Sequence, residues 1–173
     1  LKVSGALTTQ VKNARGQSVY CVMCEGLEGL GGLDGYGTKD IYPIDGKIHL
    51  WLAKGFYDFT INGTSCHFGI ADYMDLDGSK LVKKTRTDLI EFTGSTTNIG
   101  NGNWYFVRGA VSTTDLKVVG TANLILADDA MLVANGTSNR AGIEVSSGNA
   151  LVIWAQQAGT GKIVATGSGD GAG

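Results

Sequence analysis

The chain reads as all-β: an antiparallel β-sandwich followed by a short right-handed parallel β-helix. Three observations predict this. Gly accounts for 27 of 173 residues and Pro for 1, while Val, Ile, Thr and Tyr recur in short runs with no sustained helical periodicity. In the first part Ile48, Leu50 and Leu52, and then Tyr57, Phe59 and Ile61, fall at alternate positions, the mark of a strand with one buried face. The last seventy residues repeat at an offset of about twenty, the length of one β-helix rung, which buries its apolar face only by stacking on its neighbours. The expected organisation is a sandwich module over residues 1–75, a linker over 76–103 and β-helix rungs over 104–173.

In the first part, Leu7 to Val11 and Val19 to Val22 read as strands joined by a turn at Asn13-Ala14-Arg15-Gly16. Residues Gly26 to Gly37 hold six glycines in twelve and read as a loop. Asp45-Gly46 then leads into Lys47 to Leu52, where Ile48, Leu50 and Leu52 share one face and His49 and Trp51 the other. Lys54-Gly55 turns into Tyr57 to Asn62, in which Tyr57, Phe59 and Ile61 alternate with polar residues, so the two strands read as a hairpin.

The junction opens at Asp75-Leu76-Asp77-Gly78 and continues through Leu81 to Phe92, compatible with a strand pair or a short helix, into a stretch rich in Gly, Ser, Thr and Asn. Beyond it, an offset of twenty sets Ala130-Met131-Leu132-Val133 on Ala150-Leu151-Val152-Ile153, Tyr105-Phe106-Val107 on Ile125-Leu126-Ala127 and Ile143 on Ile163. Short polar corners separate the apolar runs: Ala127-Asp128-Asp129, Asn135 to Asn139, and Ser146-Ser147-Gly148-Asn149. A leucine-rich repeat has a similar period, but its Leu and Asn ladder is missing.

Two resemblances arise from particular strings. Lys12-Asn13-Ala14-Arg15-Gly16-Gln17-Ser18-Val19 and Asp45-Gly46-Lys47 through Gly55-Phe56-Tyr57 to Ile61 resemble the prealbumin-like β-sandwich modules of the carboxypeptidase regulatory-like group, over roughly residues 3–65. That resemblance implies a core role for Tyr57; the glycine loop at 26–37 departs from the pattern. Trp104 to Gly109, Asp115 to Gly120, Ala122 to Ala134 and Ala150 to Gln156 with Gly159 to Gly167 resemble a pattern in large secreted or wall-attached proteins of gut bacteria. It implies an extracellular, cell-surface stalk, adhesin or display scaffold.

Charge and motif narrow the function classes. With 14 basic and 16 acidic residues and no basic stripe, the chain offers no electrostatic footprint for nucleic acid or an anionic membrane. No apolar run is long enough to span a bilayer. Cys21, Cys24 and Cys66 are an odd count, and Cys21 and Cys24 sit three apart in a strand reading, pointing to opposite faces, so no metal site is expected; nor is a cofactor. Asp75-Leu76-Asp77-Gly78 lacks the later acidic ligand of a calcium loop. His49 and His67 are the only histidines and neither sits in a nucleophile motif. The basic residues Arg108, Lys117, Arg140 and Lys162 are scattered, and Asp128 and Asp129 read as turn residues, so no enzyme is expected.

A binding surface is a separate matter. Trp51, with His49 beside it, faces away from the expected core and offers a ring for stacking on a sugar; packing between modules is the competing reading. Trp104 and Trp154 read as packing residues. The expected function is a non-catalytic module of a bacterial cell-surface protein, a stalk or adhesin scaffold with glycans or host surface proteins as partners. The alternatives are a carbohydrate-binding module using Trp51, and an accessory piece of a polysaccharide-degrading enzyme, which a groove lined by Asp128, Arg108 and Lys162 would favour. The end at Gly173 reads as an open stacking face suited to self-association.

Overall fold

A computed structural model describes residues 2–12, 18–25, 33–34, 48–61 and 64–169, with the side chains of residues 50, 52–58 and 67–169. Among them the chain is built of strands and turns alone. The strands are β1 (Lys2–Lys12), β2 (Ser18–Glu25), β3 (Leu33–Asp34), β4 (Ile48–Leu52), β5 (Gly55–Ile61), β6 (Thr64–Asp77), β7 (Lys80–Glu91) and β8 (Asn98–Gly100). They continue with β9 (Trp104–Val107), β10 (Ala110–Thr114), β11 (Leu116–Val119), β12 (Thr121–Leu126), β13 (Met131–Asn135), β14 (Ile143–Val145), β15 (Ala150–Ala155) and β16 (Lys162–Thr166). Two compact units emerge, one of residues 1–71 with 85–89, the other of residues 72–84 with 90–173.

Among the described residues, the paired strands of the first unit run antiparallel. β2 pairs with β1 on one side and β4 on the other, and β5 pairs with β3 and β6. β4 and β5 therefore belong to separate sheets, and the hairpin expected at Lys54-Gly55 does not form: the chain leaves one sheet at Leu52 and joins another at Gly55. Alternation on β4 holds, with Leu50 and Leu52 both buried. Tyr57, expected in the core, is half-buried: its ring lies 5.7 Å from that of Phe68 and its hydroxyl donates to the Ala53 carbonyl at 2.7 Å. Opposite Gly69, the Phe56 ring occupies the space a side chain would take. The expected loop at 26–37 lies outside the described residues apart from Leu33 and Asp34, which pair with β5.

The stretch read as a linker is mostly strand. β6 and β7 are sheet neighbours joined at Gly78 and Ser79, and Lys84 Nζ donates to Asp75 at 2.5 Å across that turn. Of the two readings open for Leu81 to Phe92, the strand is the one seen, and it carries Thr87 and Leu89 inward among charged neighbours.

In the second unit three parallel sheets each take every third strand: β8, β11 and β14; β9, β12 and β15; β10, β13 and β16. The chain thus visits each sheet once per circuit. The circuit length departs from the uniform twenty read in the sequence. Lys117 lies beside Asn98, Leu124 beside Tyr105 and Met131 beside Ala110, an advance of nineteen to twenty-one residues. Ile143 then lies beside Leu116, Ala150 beside Thr121 and Lys162 beside Met131, an advance of twenty-seven to thirty-one. The extra residues enter at corners, the largest being 136–142 between β13 and β14, where the preceding circuit needs only Asp115 between β10 and β11.

Stacking puts like on like. Inward columns such as Ile99, Val118 and Val145, or Val111, Leu132 and Ile163, fill the interior, and in the middle circuit Leu116, Val118, Ala122, Leu124, Leu132 and Ala134 are fully buried. Burial of each Leu or Val there stabilises by about 1.5–3 kcal/mol. In the last circuit the columns end on more exposed members, Val145 at 45% and Ile153 at 52%. Phe92 and Ile99 close the opposite end, where Thr113, a buried polar residue, donates to the Thr96 carbonyl at 2.7 Å.

Corners hold the circuits in register. Asn101, Asp115 and Asp129 adopt φ of 57°, 49° and 62°, a left-handed turn that Asn and Asp tolerate better than other side chains. Their neighbours bond across circuits: Asp128 accepts from the backbone N–H groups of Ala158 and Gly159, each at 3.0 Å, and Asn149 accepts from Gly120 at 2.7 Å. At the long corner, a Cβ on Gly142 would lie 2.2 Å from the Ala134 carbonyl oxygen, so only glycine fits.

Candidate functional site

The lengthened corner creates a groove. On the outer face of the β8, β11 and β14 sheet, Asn98, Lys117 and Glu144 form one column, because they share the register of the inward column Ile99, Val118 and Val145, one residue out of phase. Residues 136–142 fold beside it. Together they enclose a cleft of about 480 Å³ lined by Thr97, Asn98, Thr114, Asp115, Lys117, Arg140, Ala141 and Glu144.

Asp115 anchors the wall. Its two oxygens accept the backbone N–H of Thr137 at 2.7 Å and the Thr137 hydroxyl at 2.5 Å, tying the long corner to the preceding circuit. Arg140 N donates to Thr137 O at 3.1 Å, tightening the corner, and Ser168 N donates to Arg140 O at 3.1 Å. The Thr137 hydrogen bonds, with the Arg140 guanidinium at 4.0 Å, hold the Asp115 carboxyl below its ordinary pKa. Lys117 Nζ stands 3.9 Å from Glu144 Oε1, and Glu144 also accepts from the Ser146 hydroxyl at 2.8 Å. Both acid and base pairs are thus too long for direct hydrogen bonds, and the Lys117 and Glu144 side chains are each about half exposed at 51% and 49%.

The residues singled out in the sequence fare differently. His49 and Trp51 lie on β4 opposite Met23 and Cys21 of β2; their side chains fall outside the described residues, as do those of Cys21, Cys24 and Cys66. His67 Nδ1 lies 2.5 Å from the Asp58 carboxylate on an exposed face. Asp75 is occupied by Lys84 and by the Leu76 N–H. Among the described residues no group of three or more His, Cys, Asp or Glu is placed to hold a metal ion. Of the four scattered basic residues, Lys117 and Arg140 meet in the groove. Arg108 instead pairs with Glu91 at 2.5 Å, and Lys162 stands on β16. Asp128 is engaged in its corner bonds with the backbone N–H groups of Ala158 and Gly159.

Trp104 and Trp154 pack against one another, their ring centroids 5.4 Å apart at 20°, and Tyr73 lies 5.0 and 5.2 Å from them. Trp154 Nε1 donates to Asn123 at 3.3 Å, and Gln156 donates to the Asp72 carbonyl at 3.0 Å. These aromatics fasten the β6 segment to the outer face of the β9, β12 and β15 sheet, consistent with the packing role read for them.

Sequence reasoning missed Asp115, Glu144 and Asn98 as groove residues. The available signal was the corner Asn135 to Asn139 followed by Arg140, the longest of the three polar corners read between the repeated apolar runs. Compared with known proteins, the chain matches no family model, no curated protein and no solved structure.

Proposed function

We propose that this chain is a non-catalytic extracellular module of a bacterial cell-surface protein, serving as a stalk or adhesin scaffold, with an antiparallel β-sandwich followed by a short right-handed parallel β-helix. The observation that carries the reading is the set of three parallel ladders in which strands three apart stack with their apolar columns aligned. Such stacking makes a stiff wall whose exposed outer positions and corners are free to carry surface features. The prealbumin-like reading of residues 3–65 belongs to the same proposal and is supported by the antiparallel pairing of β1, β2 and β4 and by the hydrogen-bonded Tyr57.

Asp115 does not suit general-acid work in the groove. A general acid needs a carboxyl whose pKa is raised toward the working pH, and Asp115 is held the other way by its Thr137 bonds. Its oxygens are engaged in fixing the wall.

The test is protease shaving of intact cells of the organism that carries the chain, followed by peptide sequencing. Peptides from residues 104–169 released from unlysed cells are the expected result; their appearance only after lysis overturns the reading. Incubation of the protein with polysaccharides at neutral pH, scored for new reducing ends or unsaturated products, is expected to show no turnover.

A further inference from the structure

We propose that the groove of Asn98, Asp115, Lys117, Arg140 and Glu144 binds a neutral, hydroxyl-rich oligosaccharide. This deepens the scaffold reading by naming what its wall holds, and it moves the site away from Trp51.

Size comes first. The cleft of about 480 Å³ falls within the range of small-ligand sites, roughly 300–1,000 Å³. Its lining is polar apart from Ala141: two carboxylates, an ammonium, a guanidinium, an amide and two threonine hydroxyls. An apolar ligand would strip water from all of these without replacing the lost hydrogen bonds.

Charge narrows the class further. Two acids face two bases, so the groove has no net sign to attract a polyanion. A divalent cation would have to displace Lys117 from Glu144 or Arg140 from Asp115 before either carboxylate became a ligand. A neutral molecule meets neither obstacle.

The decisive geometry is the length of the two pairs. At 3.9 and 4.0 Å each acid and base stand beyond direct hydrogen-bond reach. A hydroxyl is both donor and acceptor, so it can donate to the carboxylate while accepting from the ammonium or guanidinium. A sugar carrying several hydroxyls satisfies both pairs at once. The column Asn98, Lys117 and Glu144 repeats at one strand separation, about 4.8 Å, on the scale of a pyranose ring, which favours an oligosaccharide lying across the strands over a single sugar. No aromatic ring is among the described lining residues, so affinity rests on hydrogen bonds and is expected on the order of millimolar.

The experiment is a nitrogen–proton NMR titration of the protein with neutral trisaccharides (cellotriose, xylotriose, mannotriose, maltotriose), with trigalacturonate as the charged comparison. The expected result is saturable shifts at Asn98, Lys117, Arg140 and Glu144 with at least one neutral trisaccharide. Lys117→Met and Glu144→Gln, both at half-exposed positions, are expected to weaken it by about tenfold or more with unchanged melting temperature, while Lys162→Met leaves it intact. The proposal is overturned if no neutral trisaccharide shifts these residues, if only trigalacturonate does, or if binding survives both substitutions. A negative titration beside surface-released peptides would sink the groove proposal and leave the scaffold reading intact.

Discussion

Asp115 accepts both the backbone N–H and the hydroxyl of Thr137, at 2.7 and 2.5 Å, across one circuit of the chain. This single carboxylate joins the short corner of one circuit to the long corner of the next, and so sets the wall of the groove. Thr137→Val removes the hydroxyl half of the clamp and Asp115→Ala removes both halves, while also placing Ala at a φ of 49°. Amide exchange over residues 136–142 is expected to become several-fold faster in Thr137→Val and faster still in Asp115→Ala, with β11 and β12 unaffected. Equal protection in all three proteins would show that the corner stands without the clamp.

The same clamp has a pH signature. The Asp115 pKa is depressed below its ordinary 3.8 by the Thr137 hydrogen bonds and the Arg140 charge. A depressed carboxyl stabilises fully above its unfolded value, and that contribution is lost as pH falls through the lower folded value. The Thr137 amide resonance is therefore expected to stay constant down to about pH 4 and to move only below it. A midpoint above the ordinary value would contradict the assignment.

Inward and outward positions differ sharply in what they tolerate. Leu124, fully buried between Tyr105 and Ile153, is expected to lose about 2–5 kcal/mol on replacement by Ala. Val119, on the outer face of β11 at 46% exposure, should change by less than about 0.5 kcal/mol. Thermal or urea unfolding of the two variants side by side reads the difference, and similar losses would refute the inward column.

Gly142 tests the long corner itself. Its missing Cβ would lie 2.2 Å from the Ala134 oxygen and 2.8 Å from Thr166 N, both backbone atoms held by the β13 and β16 ladder. Gly142→Ala is expected to destabilise by about 1–3 kcal/mol or more, since neither neighbour can yield without breaking pairing. An unchanged unfolding midpoint would mean that residues 136–142 follow another path.

Trp104 and Trp154, stacked at 5.4 Å and 20°, are close enough for their excited states to couple. Far-ultraviolet circular dichroism should show an exciton couplet that Trp154→Phe abolishes. The same substitution removes the indole donor to Asn123 and is expected to cost roughly 1–2 kcal/mol. A couplet that persists in the variant would place the stacking elsewhere.

The strands of both units were largely readable from residue type, because short β-branched runs between Gly, Asn and Asp corners leave little else to form. Their pairing was not. Tyr105 reads naturally onto Ile125, yet it lies beside Leu124, and that one-residue slip exchanges the two faces of the sheet. The slip was invisible because the outer face is also apolar here: Phe106 and Ile125 are buried on it and Trp154 continues it, so alternation carried no phase. The lengthening of the second circuit was hidden in the same way, since Leu132 and Val152 are equally apolar whichever sheet they join. The groove depends on that lengthening. Lys117 and Arg140 stood out as basic residues, but only the fold over Asp115 brings them together.

The register of the circuits sets both the core and the groove, and methyl-to-methyl contacts in NMR spectra of a selectively labelled protein test it most directly. Val118 is expected to contact both Ile99, nineteen residues before it, and Val145, twenty-seven after it, while Leu132 contacts Ile163. Absence of those contacts together with a Leu132 to Val152 contact, as a uniform advance of twenty would give, would contradict the parallel ladders and the groove built upon them.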